Sequence, residues 1–186
     1  MVSVAAIAEG LASPEAMLAW LDAVMDPEVP VLSVVDLGIV RDVQWQPAPT
    51  PGDGPVALVT VTPTYSGCPA TEVIAQSIKD ALHGHGVRNV AVRTQLSPAW
   101  TTDWMTPKGR DALRAYGIAP PAACAPGVVL TQVVDIGALM APRAVVPCPQ
   151  CASRHTRLLS QFGSTACKAL YQCRDCLEPF DYFKPH

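Results

Sequence analysis

Charge is scarce in this 186-residue chain: Asp, Glu, Lys and Arg make up 16%, and the formal net charge is −3. So small a charge names no partner, and it argues against a chain that coats nucleic acid or stays unfolded through self-repulsion. Long apolar runs are missing as well. Pro, Asp or Gly interrupts each one before the roughly 18 residues that a membrane span requires. Met1–Gly10 carry no Lys or Arg and include Glu9, so they do not read as a secretory signal. The expectation is a cytoplasmic protein with no membrane and no nucleic-acid partner. Three catalytic signatures are absent too: a Gly-rich phosphate loop, a Ser-His-Asp set and a Glu-x-x-His pair. The chain does not read as a self-sufficient enzyme.

Cysteine is what the sequence has in quantity, seven in all. In a cytoplasmic setting that favours metal or thiol chemistry over disulfides. Cys148-Pro149-Gln150-Cys151 and Cys173-Arg174-Asp175-Cys176 are two C-x-x-C pairs separated by 21 residues. Each pair forms a knuckle presenting two thiolates, and two knuckles close a tetrahedral site. A segment of 39 residues, 148–186, buries too little core to stand alone and calls for such a staple. Zinc is the expected ion, and a single redox-active iron is the alternative. Phe162, Tyr171, Phe180, Tyr182 and Phe183 are the expected apolar cluster. Cys167 lies outside both knuckles. Next to Lys168 it reads either as a functional thiol or as a small buried residue. The ribbon has five Lys/Arg and three Asp/Glu, against eight and thirteen in the rest of the chain. That asymmetry suits a docking element and is too small for a nucleic-acid reader.

Upstream, hydrophobic period and capping residues predict α-β-β-α-β-α, a small two-layer α/β domain over 1–120. Ser13-Pro14-Glu15 opens a helix expected to run to about Asp26-Pro27. Ile39–Gln46 and Val56–Thr62 read as an antiparallel hairpin, with the second strand central. Pro69–His83 is the clearest helix. Its end carries His83 and His85, which read as structural. Val87–Thr94 is a third strand, and Pro107–Tyr116 a helix capped by Thr106 and stopped at Gly117. Residues 121–147 form a Pro-rich linker, with one strand expected at Gly127–Asp135, and Cys124 there looks incidental.

Thr62-Pro63-Thr64-Tyr65-Ser66-Gly67-Cys68-Pro69 joins the central strand to the main helix. With Pro69 as the first helical residue, Cys68 is the N-cap. There the positive helix end would favour its thiolate. Gly67 would let the chain turn and a ligand approach. Thr62, Thr64 and Ser66 would place hydroxyls around it. Asp26 and Glu28, or Asp36, could bring carboxylates to the same end of the sheet, the alternative being solvated turns. A buried cap thiol is the alternative for Cys68.

Asp26-Pro27-Glu28-Val29-Pro30, Val35-Asp36-Leu37-Gly38-Ile39-Val40, the Cys68 loop and Trp100-Thr101-Thr102-Asp103-Trp104-Met105 together resemble the SufT-like family of iron–sulfur assembly proteins, over about residues 14–120. Phe162–Tyr171 and Glu178–Lys184 in the ribbon resemble the D-protein family of the bacterial phenylacetyl-CoA epoxidase system. The resemblance implies an accessory role in aerobic phenylacetate breakdown, helping to install or maintain an iron or iron–sulfur centre. The implied partners are the oxygenase and reductase subunits of that epoxidase, and a homodimer is one implied arrangement. Cys68 corresponds to the family's reactive cysteine. It would hold the metal or cluster transiently, with Asp26, Glu28, Thr64 and Gly67 around it. A stoichiometric structural or electron-relay subunit of the oxygenase is the second role the resemblance allows.

Overall fold

The computed structural model describes residues 11–48, 50, 52–65, 67–122 and 145–185. The strand expected at 127–135, Cys124 and Ser66 lie outside them. The chain divides into two compact units, Met1–Ala112 and Leu113–His186.

In the first unit, α1 spans Pro14–Leu21 and is capped as its sequence dictates: the Ser13 hydroxyl accepts the Ala16 N–H at 3.2 Å. It stops at Leu21, well short of Pro27. Asp22, the C-cap, keeps helical dihedrals, and its carboxylate accepts from Ser33 Oγ (2.7 Å) and Lys108 Nζ (2.8 Å). The following residues turn back on themselves, with Val34 N–H donating to Val24 O and Asp26 N–H to Leu32 O. From Asp22 to Val24 the amides bond back three residues, to the Ala19, Trp20 and Leu21 carbonyls, so the helix tightens and closes before Pro27 is reached.

The sheet order is β1-β2-β3, with β1 Val40–Gln46, β2 Val56–Val61 and β3 Val90–Thr94. β2 is central, antiparallel to β1 and parallel to β3, as a hairpin followed by a helical crossover requires. A register shift between Val40 and Asp42 breaks the alternation of β1. β3 starts at Val90, three residues later than its apolar run suggests, because Val87 N–H returns to Leu82 O behind the helix. The crossover is α2, Thr71–Gly84, with Ile74, Ile78 and Leu82 buried. α1 packs on α2 and on β1, and α2 packs on β3, giving the two layers. Every odd residue of β2 is buried: Ala57, Val59 and Val61. His85 caps the C-terminus of α2 and stacks on Trp20 at 4.2 Å, which gives it a structural role.

Two motifs lock together at the far end. Gly38, at φ +72°, turns the chain before β1, and a short 3-10 turn, Thr102–Trp104, lies against it. Trp100 Nε1 donates to Leu37 O at 3.0 Å. The Arg41 guanidinium lies 3.4 Å from the Trp104 ring centre. Asp36 is buried, accepts from Thr106 Oγ1 at 2.7 Å and pairs with Lys108 Nζ at 3.0 Å. Thr106 in turn caps α3, Pro107–Tyr116, through the Gly109 N–H. The solvated-turn reading of Asp36 is therefore wrong: it is a buried tie between two loops.

In the second unit, β4 Thr156–Ser160, β5 Lys168–Cys173 and β6 Pro179–Phe183 form an antiparallel meander. Ala119 adds a parallel bridge to Tyr182, with Ala119 N–H on Asp181 O and Phe183 N–H on Ala119 O. The ribbon core comprises Ala119, Val146, Cys148, Ala169, Cys173, Phe180 and Tyr182, flanked by Leu158 and Tyr171. Phe162, expected inside, is 68% exposed. Its ring lies under Lys184 Nζ, 4.9 Å from the centroid, and the core closes without it. Among the described residues, no helix is long and apolar enough to cross a membrane.

Candidate functional site: a four-thiol cluster and a lone thiol in a cleft

The two knuckles converge as their spacing requires. The sulfurs of Cys148, Cys151, Cys173 and Cys176 all lie within 4.8 Å of one another. Cys148 Sγ is 3.7 Å from Cys176 Sγ, and Cys151 Sγ is 3.6 Å from Cys173 Sγ. A tetrahedron with metal–sulfur bonds of ~2.3 Å has edges of about 3.8 Å, so the four thiols fit one ion with no donor left over. Backbone N–H groups stabilise negative sulfur here. The amides of Cys176 and Asp175 draw the Cys173 thiol down to about 6, even against desolvation. Cys176 is pushed up to about 12: the Glu178 amide lowers it, but burial and the three neighbouring thiols prevail. Thiols this close cannot all ionise by themselves. An ion that binds them must displace their protons.

Cys167 does not join the cluster. It is buried, with Thr165 Oγ1 at 3.1 Å from its sulfur. Its neighbour Lys168 is buried and 3.7 Å from Asp181 Oδ2.

Cys68 lies in the first unit, at the end of the sheet where Val61, Val40 and Thr94 stand in register. It is not the helix N-cap. Cys68, Pro69 and Ala70 make turns instead, with Cys68 N–H on Tyr65 O and the Thr71 N–H and hydroxyl both on Cys68 O. α2 then begins at Thr71 with Ala70 as its cap. The consequence is electrostatic. Burial pushes the half-buried Cys68 thiol above its ordinary 9.0, and the negative charges of Glu28 and Asp26 push the same way. The Ala70 amide and the Thr71 hydroxyl pull against them and lose. The thiol therefore rests protonated, contrary to the thiolate expected from a helix cap.

Cys68, Asp26 and Thr64 line one small cleft, together with Leu37, Ile39, Val61, Pro63, Thr71 and Ile74. Its volume is ≈ 20 Å³, close to what a single water occupies. Asp26 is buried, and its Oδ1 accepts the Glu28 and Val29 N–H groups at 2.8 Å each. It is neither a solvated turn nor a free ligand on that oxygen. Gly67 has the Tyr65 ring against it: an added Cβ would meet Tyr65 Cε1 at 2.9 Å. Thr62, the first of the three expected hydroxyls, is buried just after β2; its N–H donates to Ile39 O, but its Oγ1 has no hydrogen-bond partner among the described residues. Among the described residues, Cys68, Asp26 and Glu28 do not gather as the four ribbon cysteines do. Thr71 was missed in the sequence, although a hydroxyl three residues beyond the thiol was a readable signal. The apolar lining of Leu37, Ile39 and Ile74 had no local signal, because it depends on the sheet register.

Comparison with known proteins covers both units. A family model described as an iron–sulfur cluster assembly protein matches residues 14–92, and a PaaD zinc beta ribbon domain matches residues 136–184. A 34% identical relative, "Fe-S protein maturation auxiliary factor YitW" of Bacillus subtilis, aligns over 53% of this chain and 91% of its own length. The crystal structure of a DUF59 domain from Bacillus anthracis is 29% identical, covers 54% of this chain and 90% of that one, and has a TM-score of 0.47. An Escherichia coli protein described as the D component of a "Putative 1,2-phenylacetyl-CoA epoxidase" is 49% identical over 94% of this chain and 95% of its own. An assembly-type unit joined to a zinc ribbon, matched end to end at that identity, places the chain in the D-protein family of the phenylacetyl-CoA epoxidases.

Proposed function

We propose that this protein is a non-catalytic accessory factor of a phenylacetyl-CoA ring-epoxidising oxygenase in aerobic phenylacetate breakdown. Its first unit passes iron or an iron–sulfur cluster to a metal-bearing oxygenase or reductase subunit. Cys68 is the transfer ligand, with Asp26, Glu28, Thr64 and Gly67 shaping its surroundings. The ribbon holds zinc on Cys148, Cys151, Cys173 and Cys176 and docks the client, and the protein works in the cytoplasm.

One observation carries the reading: Cys68 is a thiol at a cleft with two carboxylates acting on it, yet among the described residues it lacks a complete ligand set. Clusters are ordinarily held by about four ligands. A single thiol whose proton must be expelled on binding holds cargo weakly, and the client or a second copy supplies the other ligands. The ≈ 20 Å³ cleft has no room for a cluster, so cargo would sit at its rim.

Cys68→Ala tests this. The variant should keep its ribbon metal and its fold, while oxygenase and reductase matured beside it carry less iron than beside wild type. Fully loaded, active partners from that strain would overturn the reading.

A second role, a stoichiometric structural or electron-relay subunit, is favoured by the description of the Escherichia coli relative as a subunit. Recovery at a fixed ratio with the oxygenase through turnover distinguishes it, and a visible iron–thiolate spectrum would mark the relay version.

A further inference from the structure

Ser153 and Asp175 stand on opposite knuckles of the ribbon, and neither is a ligand. Ser153 follows Cys151 by two positions, and its backbone N–H is directed at the Cys151 sulfur. Asp175 lies between Cys173 and Cys176, and its backbone N–H is directed at the Cys173 sulfur. These two sulfurs are 3.6 Å apart. The Ser153 hydroxyl donates to Asp175 Oδ2 at 2.5 Å. One side-chain hydrogen bond therefore joins the two residues whose amides serve the two facing sulfurs.

The surrounding bonds brace that link. His155 N–H donates to Ser153 Oγ at 3.0 Å, and His155 Nδ1 lies 3.4 Å from Asp175 Oδ1. Arg174 N–H donates to His155 O at 2.7 Å, and Cys148 N–H to Ser153 O at 2.9 Å. The result is a closed ring of bonds running from the first knuckle, through the Ser153–His155 segment, to the second knuckle and back.

We propose that Ser153 and Asp175 form a latch outside the ligand sphere that keeps the two knuckles together and so sets how slowly the ribbon releases its ion. They are positioning residues. To lose the ion the knuckles must separate, and separation breaks the Ser153–Asp175 bond first, because it lies outside the sulfurs and bridges the gap between them. Asp175 is 54% exposed and His155 80%, so the link adds little to overall stability, and its effect is read in the rate of opening.

Electrostatics alone predicts the opposite sign. Four thiolates around a divalent ion leave the site doubly negative, so removing the Asp175 carboxylate would ease repulsion and slow release. The latch predicts faster release.

The test uses the full chain loaded with zinc, and follows transfer to an excess of a chelating dye. Ser153→Ala and Asp175→Ala should each release zinc about two- to fivefold faster, the size of one exposed side-chain link. The double variant should be no faster than the faster single one, since both remove the same link. Ser153→Thr retains the hydroxyl and should restore the wild-type rate. Cobalt(II) in each variant should keep its four-thiolate absorption, showing that the ligands are unchanged. Wild-type rates in both single variants would overturn the latch. So would slower release from Asp175→Ala, a double variant faster by the product of the two single effects, or failure of Ser153→Thr to restore the rate. The latch rests on the ribbon holding an ion. A wild-type chain that binds none removes that premise, whereas a bound ion with unchanged release rates removes the latch alone.

Discussion

Gly38 is the residue whose replacement has the most calculable cost. It sits at φ +72°, where an alanine pays about 1–2 kcal/mol in backbone strain. Its added Cβ would lie 2.2 Å from Trp104 O and 2.6 Å from Trp104 C. Those are backbone atoms, so the Trp104 turn must retreat by on the order of 1 Å to restore ordinary contact. That movement takes the Trp104 ring from Arg41, a contact of about 0.5–2 kcal/mol. It also strains the buried Trp100-to-Leu37 hydrogen bond, whose loss costs about 1–3 kcal/mol. Gly38→Ala should therefore destabilise the first unit by about 2.5–7 kcal/mol, lowering its thermal midpoint by at least roughly 10 °C. All four tryptophans, Trp20, Trp45, Trp100 and Trp104, lie in that unit, so tryptophan fluorescence follows it without interference from the ribbon. Because Leu37 and Ile39 line the Cys68 cleft, the variant should also expose Cys68 to alkylation below its melting point. Gly84→Ala is the control: its Cβ meets nothing within 4 Å, in a helix that alanine favours by about 0.5–1 kcal/mol. A loss under about 1 kcal/mol in Gly38→Ala would mean that the two motifs do not dock as described.

Three further outcomes follow from the same geometry. Cys148→Ser should abolish ribbon metal binding and the ribbon's protection from proteolysis, while the tryptophan-reported transition of the first unit stays in place. A metal-bound, protease-resistant ribbon in that variant contradicts the four-thiol site. Asp22 is held below its ordinary 3.8, chiefly by its hydrogen bond from Lys108 and then by Ser33. Its contribution is thus full above that value and is lost as pH falls through the lowered folded value. Asp22→Asn should flatten the acid limb of the stability–pH curve below about 4, and an unchanged limb counts against the ion pair. Finally, alkylation of Cys68, followed by mass spectrometry of its peptide, should rise with pH to a midpoint above 9.0, and Glu28→Gln should lower that midpoint. Fast labelling at neutral pH, or a midpoint indifferent to Glu28, would show that burial and the carboxylates do not govern the thiol.

The sequence carried the periodic features well. The α-β-β-α-β-α order, the central position of β2 and the four-cysteine site follow from apolar spacing and the doubled C-x-x-C. What it carried poorly depended on partners remote in the chain. α1 gives way after Leu21 to a reversal tied by Val34 N–H on Val24 O and Asp26 N–H on Leu32 O, pairings that no local signal announces. Asp36 looked like a turn residue because nothing local reveals Thr106 and Lys108. Cys68 was misread for a different reason: Pro69 is compatible with a first helical turn but does not compel one, and the Thr71 hydroxyl holds Cys68 O in a turn instead. Phe162 was assigned inward on hydrophobicity alone, whereas it lies on the surface with Lys184 Nζ over its ring.

The correction at Cys68 changes the kind of chemistry the site supports. A helix-cap thiolate would attack electrophiles and bind metal at rest, and it would oxidise readily. A thiol raised by burial and by Glu28 and Asp26 does neither while idle. In the proposed role it would become a ligand only when an incoming cation lowers its pKa, and the same two carboxylates that disfavour the thiolate would favour that cation's approach. On that proposal, burial and the carboxylates would drive the proton back when the cation leaves. Under the proposed transfer role the surroundings would couple cargo to protonation in both directions, as a donor that must let go requires. The ribbon works the other way: four sulfurs close the sphere, and backbone amides from both knuckles stabilise the charge, which suits an ion that stays. The contrast between an open, protonated thiol and a closed, amide-supported cluster is the physical basis for assigning transfer to Cys68 and permanence to Cys148, Cys151, Cys173 and Cys176.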